Sequence, residues 1–354
     1  MSDVPTWRMD SLNKYNLTTV FHPLVTVVIP VYNGENYLSK AIDSVLTQTY
    51  DNVEVLVVND GSDDNGKTEN IALSYGNTIR YYYKDNGGVA SALNFGISHM
   101  KGEYFSWLSH DDLYHPNKIS AQIEVLSNLA NKYDIVFAGW TLIDAEEQVL
   151  NRKLPLEKYN RKQLEIPLFP LINGMISGCS LLIHKSHFER VGMFQEDLIT
   201  TQDVDLWFRM MRNISCRVCE GALHMSRVHR GQSSQRLKAI YEQEGTTFWI
   251  NMMNELTNIE KVEISGSVRK FNKDIYCSLL RHGISKIAKR YAKEQFLMDK
   301  NRILKFSSAI FLEVWVRLEL FRELLNILKK LSLFSAIRVV QTWISRSFAR
   351  RDSK

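Results

Sequence analysis

The chain has 354 residues, of which 45% are hydrophobic and 23% are charged, a composition typical of a globular protein with one large or two modest domains. The net charge of +5 is too small to indicate nucleic-acid binding, and we expect no nucleic-acid partner. The N-terminal residues contain no apolar segment typical of a secretory signal, and no uninterrupted apolar run reaches the roughly 18 residues that a membrane-spanning helix needs.

Strand and helix patterns alternate along the first third of the chain. Residues 1–23 show little periodicity, and then an apolar strand ends at Pro30, before the turn Asn33–Gly34. A helix with apolar residues at helical spacing follows, and a second apolar strand ends near Asp60. The same reasoning predicts a helix at about 65–75, a strand at 79–83, a glycine-rich turn that becomes a helix at 86–100, and a strand at 102–108.

The next part of the chain continues the alternation with weaker signals. Pro116 opens a helix, a strand covers 133–140, and residues from about 146 to 170 are predicted to be a loop. A strand and a short helix are predicted within 175–192. A further helix begins near Thr200 or Thr201, both of a residue type that caps helices. A strand covers 215–225, and the chain is predicted to be helical beyond Leu237.

Cys216 and Cys219 form a C-x-x-C pair, a pattern that zinc sites and redox sites share. The pair lies in a predicted strand, where positions three apart face opposite sides, and the sequence has no second pair. We therefore expect structural thiols. The irregular spacing of the four cysteines fits a reducing compartment, and we expect a cytoplasmic protein.

Three polar clusters follow predicted strands directly. They are Pro30–Asn33, Asp60–Ser62 and Ser109–Asp112. Strands that alternate with helices predict an α/β domain with a largely parallel sheet flanked by helices. In such sheets the ligand crevice lies outside the carboxyl ends of the strands. The sequence therefore predicts that the three clusters line one cleft.

Several acidic residues in or near this cleft have two interpretations each. Asp111 and Asp112 are hard oxygen donors suited to Mg²⁺ or Mn²⁺, or they cap a turn before a helix. Asp60 accepts hydrogen bonds from a base or a ribose hydroxyl, or it is a solvated turn residue. Asp203 is a general base, or it interacts favourably with the N-terminal end of a helix dipole.

Two other side chains are ambiguous in the same way. His229 ligates a metal through a neutral nitrogen, or it makes a local hydrogen bond. Trp207 is a platform for a sugar ring, or a core residue of the helix that carries Asp203.

Six segments, in this order, resemble the motifs of the inverting family 2 glycosyltransferases of the GT-A fold, bacterial surface-polysaccharide type. The resemblance covers roughly residues 24–234. The segments are VTVVIPVYNGENYLSKAIDSVLTQTY, VLVVNDGSDD, NGGVASALNFGI, LSHDDLYHP, TTQDVDLWFR and RVHRGQSS.

The resemblance implies a metal-dependent, inverting transfer of a hexosyl or N-acetylhexosaminyl group from a nucleotide sugar, with UDP as the expected nucleotide. The implied acceptor is a glycan, expected to be lipid-linked, in the synthesis of capsule, O-antigen or exopolysaccharide. Position by position, the resemblance implies Asp203 as the catalytic base and Asp111 and His229 as ligands of Mn²⁺ or Mg²⁺. Gly178 and Trp207 are implied in acceptor binding. The implied donor contacts are Pro30, Tyr32, Asn33, Asp60, Asn86, Gly88, Ser109, His110 and Asp112.

The chain departs from the family pattern at three positions. Ser109 stands where the first acid of a D-x-D motif is usual, Gln202 replaces the usual Glu before the base, and Leu93 stands where an Arg is frequent. The departures at Ser109 and Gln202 keep open a degenerate, non-catalytic, membrane-associated protein that binds nucleotide sugars, although the presence of Asp111 and Asp203 favours an enzyme.

Two other enzyme classes are alternatives. A sugar-phosphate nucleotidyltransferase needs a basic, glycine-rich loop after the first strand, where this chain has PVYNGENYL. A dehydrogenase needs G-x-G-x-x-G there, and the sequence lacks it.

These expectations divide the chain into an N-terminal extension (1–23), a nucleotide-sugar-binding half (24–115), an acceptor and catalytic half (116–237) and a C-terminal helical region (238–354). The C-terminal region ends in a tail that has no acidic residue from Leu324 to Arg351, while basic residues and an apolar stripe recur there. A basic amphipathic helix is typical of a membrane interface. We expect peripheral attachment to the inner face of the plasma membrane; the alternative is packing on the catalytic domain or on a partner subunit.

Overall fold

The computed structural model describes residues 21–229, 231, 237–281 and 286–298. The predicted tail and most of the predicted N-terminal extension lie outside these residues. The strands are β1 (Val25–Val31), β2 (Val53–Asp60), β3 (Arg80–Lys84), β4 (Tyr104–Trp107), β5 (Leu113–Tyr114), β6 (Ile135–Ile143), β7 (Val149–Lys153), β8 (Ile183–His184) and β9 (Cys216–Arg227).

The helices of the sheet region are α1 (Leu38–Leu46), α2 (Lys67–Ser74), α3 (Gly88–His99), α4 (Lys118–Ser127), α5 (Pro155–Lys158), α6 (Arg161–Leu164), α7 (Phe169–Ile172), α8 (Ser186–Val191) and α9 (Gln202–Met211). The C-terminal helices are α10 (Lys238–Glu255), α11 (Asn258–Ser265), α12 (Val268–Arg281) and α13 (Lys286–Met298). Among the described residues, no helix combines the length and the apolar character that crossing a membrane requires.

A five-stranded sheet with the order β3-β2-β1-β4-β8 forms the centre of the described region. β1 pairs in parallel with both β2 and β4, β3 is parallel to β2, and the short strand β8 runs antiparallel to β4. A second sheet has the order β5-β9-β6-β7, in which β9 is parallel to β6. The predicted α/β fold with a largely parallel central sheet is confirmed.

Burial explains why β1 was recognisable in the sequence. All seven of its residues are buried, because helices cover both faces of the sheet, and a strand in that position has an almost continuous apolar sequence. Alternate side chains enter two different core clusters: Val28 packs with Leu56 and Leu93 on one face, and Ile29 packs with Ile42 on the other. This packing fixes the carboxyl ends of β1, β2 and β4 at one edge of the sheet.

The C-x-x-C pair follows the same alternation. Cys216 belongs to one core cluster and Cys219 to the other. All four cysteines are buried free thiols. The expectation that the pair faces opposite sides of a strand is confirmed.

The predicted loop at about 146–170 is wrong, because this segment contains β7 and the helices α5, α6 and α7. β7 lies at the edge of its sheet and its residues are not buried, so the strand shows no apolar alternation. The three helices have four residues each, which is too short for a periodic signal.

The C-terminal helices share a core with the sheet region. Trp249, Met252 and Met253 of α10 belong to the same buried cluster as Leu206 of α9. The ring of Phe248 lies edge-on to that of Phe208, with 6.0 Å between the centroids. Helix α10 is therefore packed against the helix that carries Asp203.

Candidate functional site

The turns that follow β1 and β2 are hydrogen-bonded to each other. The Asn33 N–H donates to Ser62 Oγ at 2.9 Å, and Asn33 Nδ2 donates to Asp63 Oδ1 at 2.6 Å. The Tyr32 hydroxyl donates to the same Asp63 oxygen at 3.2 Å. These hydrogen bonds hold the pKa of Asp63 below its usual value. The ring of Tyr32 is 42% exposed beside the buried Pro30, so the edge of the sheet presents an accessible aromatic surface.

Asp60 holds the glycine-rich turn that begins α3. Its carboxylate is 4% exposed and accepts hydrogen bonds from the N–H groups of Gly87 and Gly88, at 3.0 and 2.8 Å, and from Lys84 Nζ at 2.7 Å. Three of about four acceptor sites on the carboxylate are thus engaged. Asp60 therefore positions the exposed backbone at Asn86 and Gly88, and its contact with a nucleobase stays a prediction.

Asp111 and Asp112 follow β4 and are both fixed by Arg227. The guanidinium group is fully buried, and its Nε donates to the Asp111 carbonyl oxygen at 2.8 Å. The Arg227 N–H donates to Asp112 Oδ1 at 2.8 Å. Another guanidinium nitrogen contacts the Glu147 carboxylate at 3.3 Å. Burial and the neighbouring Asp111 raise the pKa of Asp112. Arg227 thus holds the backbone of one acid and the side chain of the other.

Asp111 and His229 form a pair after the carboxyl end of β4. Asp111 Oδ2 lies 2.9 Å from His229 Nε2, and both side chains are partly exposed. The ring of Tyr37 packs beside the imidazole, with 5.3 Å between centroids. Nearby, burial lowers the pKa of His110, which favours its neutral form.

The Asp111–His229 pair fits two positions of a divalent-ion site. Adjacent donors of an octahedral ion lie about 3 Å apart when each is about 2.1 Å from the metal, and the observed separation is 2.9 Å. One carboxylate and one imidazole suit Mn²⁺. Within the described ranges no group of three or more His, Cys, Asp or Glu side chains is placed to hold a metal. The remaining coordination positions would therefore belong to phosphate oxygens and water, as is common for such ions.

The segment Gly178–Ser180 lies against the end of β4. A Cβ atom at Gly178 would stand 2.5 Å from the ring of Trp107, so the backbone packs directly on the indole. Ser109 Oγ lies 3.6 Å from Cys179 Sγ. The structure thus brings two predicted site residues, Gly178 and Ser109, into one neighbourhood, and their roles stay predictions.

Asp203 lies in the first turn of α9, in surroundings that favour the neutral form of its carboxyl group. Its Oδ1 accepts a hydrogen bond from the Val204 N–H at 2.8 Å, and no salt bridge reaches it from the described part of the chain. Burial raises the pKa of Asp203 from 3.8 to about 6. A half-buried carboxylate that titrates there is suited to accept a proton near neutral pH.

Two neighbours of Asp203 point into the protein. Gln202 is buried, and its Oε1 has no hydrogen-bond partner among the described residues. Trp207 is 1% exposed and packs edge-on against Phe194, with 5.6 Å between centroids. A sugar platform needs an exposed ring face, so the predicted acceptor role of Trp207 does not fit the structure, and we leave it out of the site.

The sequence interpretation missed the structural role of two residues. Arg227 stands two positions before His229 in the same motif, but a buried arginine has no local signature because arginine is usually exposed. Glu244 on α10 accepts hydrogen bonds from the segment that leads into Asp203, and the resemblance does not extend that far.

The chain is similar to known glycosyltransferases. A family model described as "Glycosyl transferase family 2" matches residues 26–192. An uncharacterized glycosyltransferase of Rickettsia typhi is 44% identical over 328 residues, which make up 92% of this chain and 98% of that protein. An uncharacterized glycosyltransferase of Rickettsia felis is 49% identical over 248 residues. These residues make up 70% of this chain but only 41% of that longer protein. The minor teichoic acid biosynthesis protein GgaB of Bacillus subtilis is 36% identical over 115 residues, 31% of this chain and 13% of that protein.

Two solved structures have a similar fold. TarS of S. aureus, in complex with UDP-GlcNAc, gives a TM-score of 0.58 at 15% identity, over 77% of this chain and 80% of that one. The mannosyltransferase PcManGT of Pyrobaculum calidifontis, in complex with GDP-Man and Mn²⁺, gives 0.52 at 17% identity, over 84% of each chain. At these identities the likeness shows the fold, and the GT-A prediction is confirmed.

Proposed function

Because this chain belongs to glycosyltransferase family 2, we propose that it is a metal-dependent, inverting enzyme that moves a hexosyl or N-acetylhexosaminyl group from UDP to a glycan. The observation that carries the proposal is the contrast between two carboxylates. Asp111 is paired with His229 at 2.9 Å, whereas Asp203 makes no salt bridge with any described residue and has an elevated pKa. A carboxylate that is paired with a basic side chain and a buried one whose pKa is raised are suited to different chemical roles.

The donor nucleotide binds at the edge of the sheet where β1, β2 and β4 end. In our proposal the exposed ring of Tyr32 and the turn at Asn33 contact the base. Asp60 holds Asn86 and Gly88, whose exposed backbone faces the ribose and the diphosphate. The complex of TarS with UDP-GlcNAc supports UDP, while that of PcManGT with GDP-Man makes GDP the alternative. These contacts belong to the proposed donor half, residues 24–115.

Asp111 and His229 would hold a Mn²⁺ or Mg²⁺ ion beside the diphosphate. When bound, the ion neutralises charge that develops on the leaving group. Arg227 keeps the Asp111 backbone in place, while Asp112 is buried behind the pair and accepts the Arg227 N–H. With Ser109 in place of the usual acid, the described residues supply one carboxylate and one imidazole at the surface of this site.

Asp203 would act as the base within the proposed catalytic half, residues 116–237. It removes the proton from the acceptor hydroxyl as that oxygen attacks the anomeric carbon. The bond from the anomeric carbon to the diphosphate oxygen breaks in the same step, and the bond electrons leave with the nucleoside diphosphate. A single displacement inverts the anomeric configuration and needs no covalent intermediate on the protein. Gly178 is the residue that we retain for the acceptor side.

Calorimetric titration with UDP and with GDP, each in Mn²⁺ and in EDTA, tests the donor class. We expect UDP to bind in Mn²⁺, and GDP to bind at least about tenfold more weakly, a difference of about 1.4 kcal/mol. If neither nucleotide binds in the presence of Mn²⁺, the chain does not use a nucleotide sugar of either class.

The acceptor is proposed to be a lipid-linked glycan of a surface polysaccharide. The similarity to the teichoic acid protein GgaB supports this class. The basic amphipathic pattern at 324–351, which lies outside the described residues, supports peripheral attachment to the cytoplasmic face of the membrane. Removing the residues after Leu320 should abolish flotation with anionic liposomes and leave nucleotide binding intact. Failure of the full chain to float at low salt would contradict the membrane attachment.

A further inference from the structure

One carboxylate from the C-terminal helices holds the segment that precedes the proposed base. Glu244 of α10 accepts hydrogen bonds from the N–H groups of Ile199, Thr200 and Thr201, at 2.9, 2.8 and 3.1 Å. It also accepts from the hydroxyls of Thr200 and Thr201, at 2.6 and 3.2 Å. These three residues come directly before α9, whose second residue is Asp203. Five hydrogen bonds thus converge on a single side chain from the entry to the catalytic helix.

Glu244 satisfies the N–H of Thr201, the N-cap residue of α9, and fixes the two residues before it. The first N–H groups of a helix lack intrahelical partners and need acceptors at or near the cap. Thr201 stands at the N-cap but its side chain accepts no capping hydrogen bond, and its hydroxyl donates to Glu244 instead. Carboxylates near a helix N-terminus are favoured by the helix dipole, and their hydrogen bonds are strong because they carry charge.

The charge on Glu244 is maintained at neutral pH. Burial alone would raise the pKa of Glu244, but the hydrogen bonds from Thr200, Ile199 and Thr201 outweigh it and lower the pKa below its usual value. The carboxylate therefore accepts these hydrogen bonds in its ionised form near pH 6, where Asp203 titrates.

Helix α10 also approaches Asp203 through Tyr241, one turn before Glu244. Burial, and then the charge of Asp203, raise the pKa of the Tyr241 phenol. The edge-on contact of Phe248 with Phe208 fixes the two helices further along. Tyr241, Glu244 and Phe248 of α10 thus lie against α9 or the segment that precedes it.

We propose that Glu244 is a positioning residue for Asp203, and that the C-terminal helical region is in this way part of the catalytic machinery. The proposal rests on the base role of Asp203. Glu244 fixes the backbone from Ile199 to Thr201, and the first turn of α9 then presents Asp203 in one orientation. A displacement of about 1 Å at a reacting group is enough to lower turnover about 100-fold. The family model ends at residue 192, so this contribution comes from outside the matched region.

The test compares Glu244→Ala, Glu244→Gln and a control on the same helix, Glu242→Ala, whose side chain is exposed. Glu244→Ala should lower kcat about 100-fold and leave the affinity for nucleotide and the KM for donor close to those of the wild type. Glu244→Gln keeps one acceptor oxygen, enough for the four hydrogen bonds made to Oε2, but loses the charge, so its kcat should lie between those of Glu244→Ala and the wild type. Glu242→Ala should behave as the wild type.

Two results would overturn the proposal. One is an unchanged kcat in Glu244→Ala. The other is a parallel loss of kcat, nucleotide affinity and thermal stability without recovery in Glu244→Gln, which would mean a merely structural role. If the wild type itself turns over no donor, that result refutes the proposed function and not the contact made by Glu244. Hydrogen exchange of the amides of residues 199–201 then still tests the contact, because they should exchange faster in Glu244→Ala, and equal exchange would refute the positioning role.

Discussion

Asp203→Asn is expected to lower turnover by roughly 10²–10⁴-fold, the usual contribution of a general base, while nucleotide affinity changes little. Asparagine keeps the shape of the side chain and can still accept the Val204 N–H, but it cannot take a proton from the acceptor. The matched control is Asp205→Asn, two residues later in the same helix, where the carboxylate pairs with Arg209. Turnover should survive in the control, and near-normal turnover in Asp203→Asn would refute the base assignment.

The stability of Asp203→Asn separates lost chemistry from lost folding. Burial raises the pKa of Asp203 from 3.8 to about 6, so the folded state binds this proton more tightly than the unfolded chain does. Stability therefore decreases as pH rises from about 4 to about 6, and above that range the ionised group costs up to about 3 kcal/mol. Asp203→Asn should raise the melting temperature at pH 7.5 but hardly at pH 4. A lower melting temperature at pH 7.5 would contradict the burial argument.

Asp111→Ala is expected to abolish the metal-dependent part of nucleotide binding. Substitutions around metal ligands commonly weaken metal affinity by 10–100-fold, and the loss of the sole carboxylate of the pair should cost at least ~100-fold. Of the pair, His229 would then remain as the ligand. Titration of the variant with UDP in Mn²⁺ should match titration of the wild type in EDTA. If the wild type binds UDP equally well in Mn²⁺ and in EDTA, Asp111 and His229 do not hold a catalytic ion.

The sheet and the edge where the site lies were predictable because they depend on local patterns. β1 and β2 have apolar sequences because both faces are covered, and the residues at their carboxyl ends must share one edge. The distance of 2.9 Å between Asp111 and His229 agrees with their predicted pairing, although they lie far apart in the sequence. That pairing came from the order of the motifs rather than from periodicity.

The structural roles of Arg227 and Glu244 were not predictable, because they depend on contacts between residues far apart in the sequence. Arg227 reaches Asp111 and Asp112 across more than a hundred residues, and Glu244 reaches Thr200 from a different helix, so neither contact leaves a trace in the local sequence. Trp207 is a different case. It lies beside Leu206 on the buried face of α9, and the apolar periodicity of that helix was a sufficient signal to place the indole in the core.

Release of nucleoside diphosphate from a panel of UDP- and GDP-sugars is the most direct test of the proposed transfer. The wild type, Asp111→Ala and Asp203→Asn would be compared in Mn²⁺, and the wild type also in EDTA. We expect the wild type to release nucleotide from a UDP-sugar in Mn²⁺ but not in EDTA. We expect no release by Asp111→Ala, and none by Asp203→Asn although this variant still binds UDP. Undiminished release by Asp203→Asn, or by the wild type in EDTA, would contradict the proposed transfer.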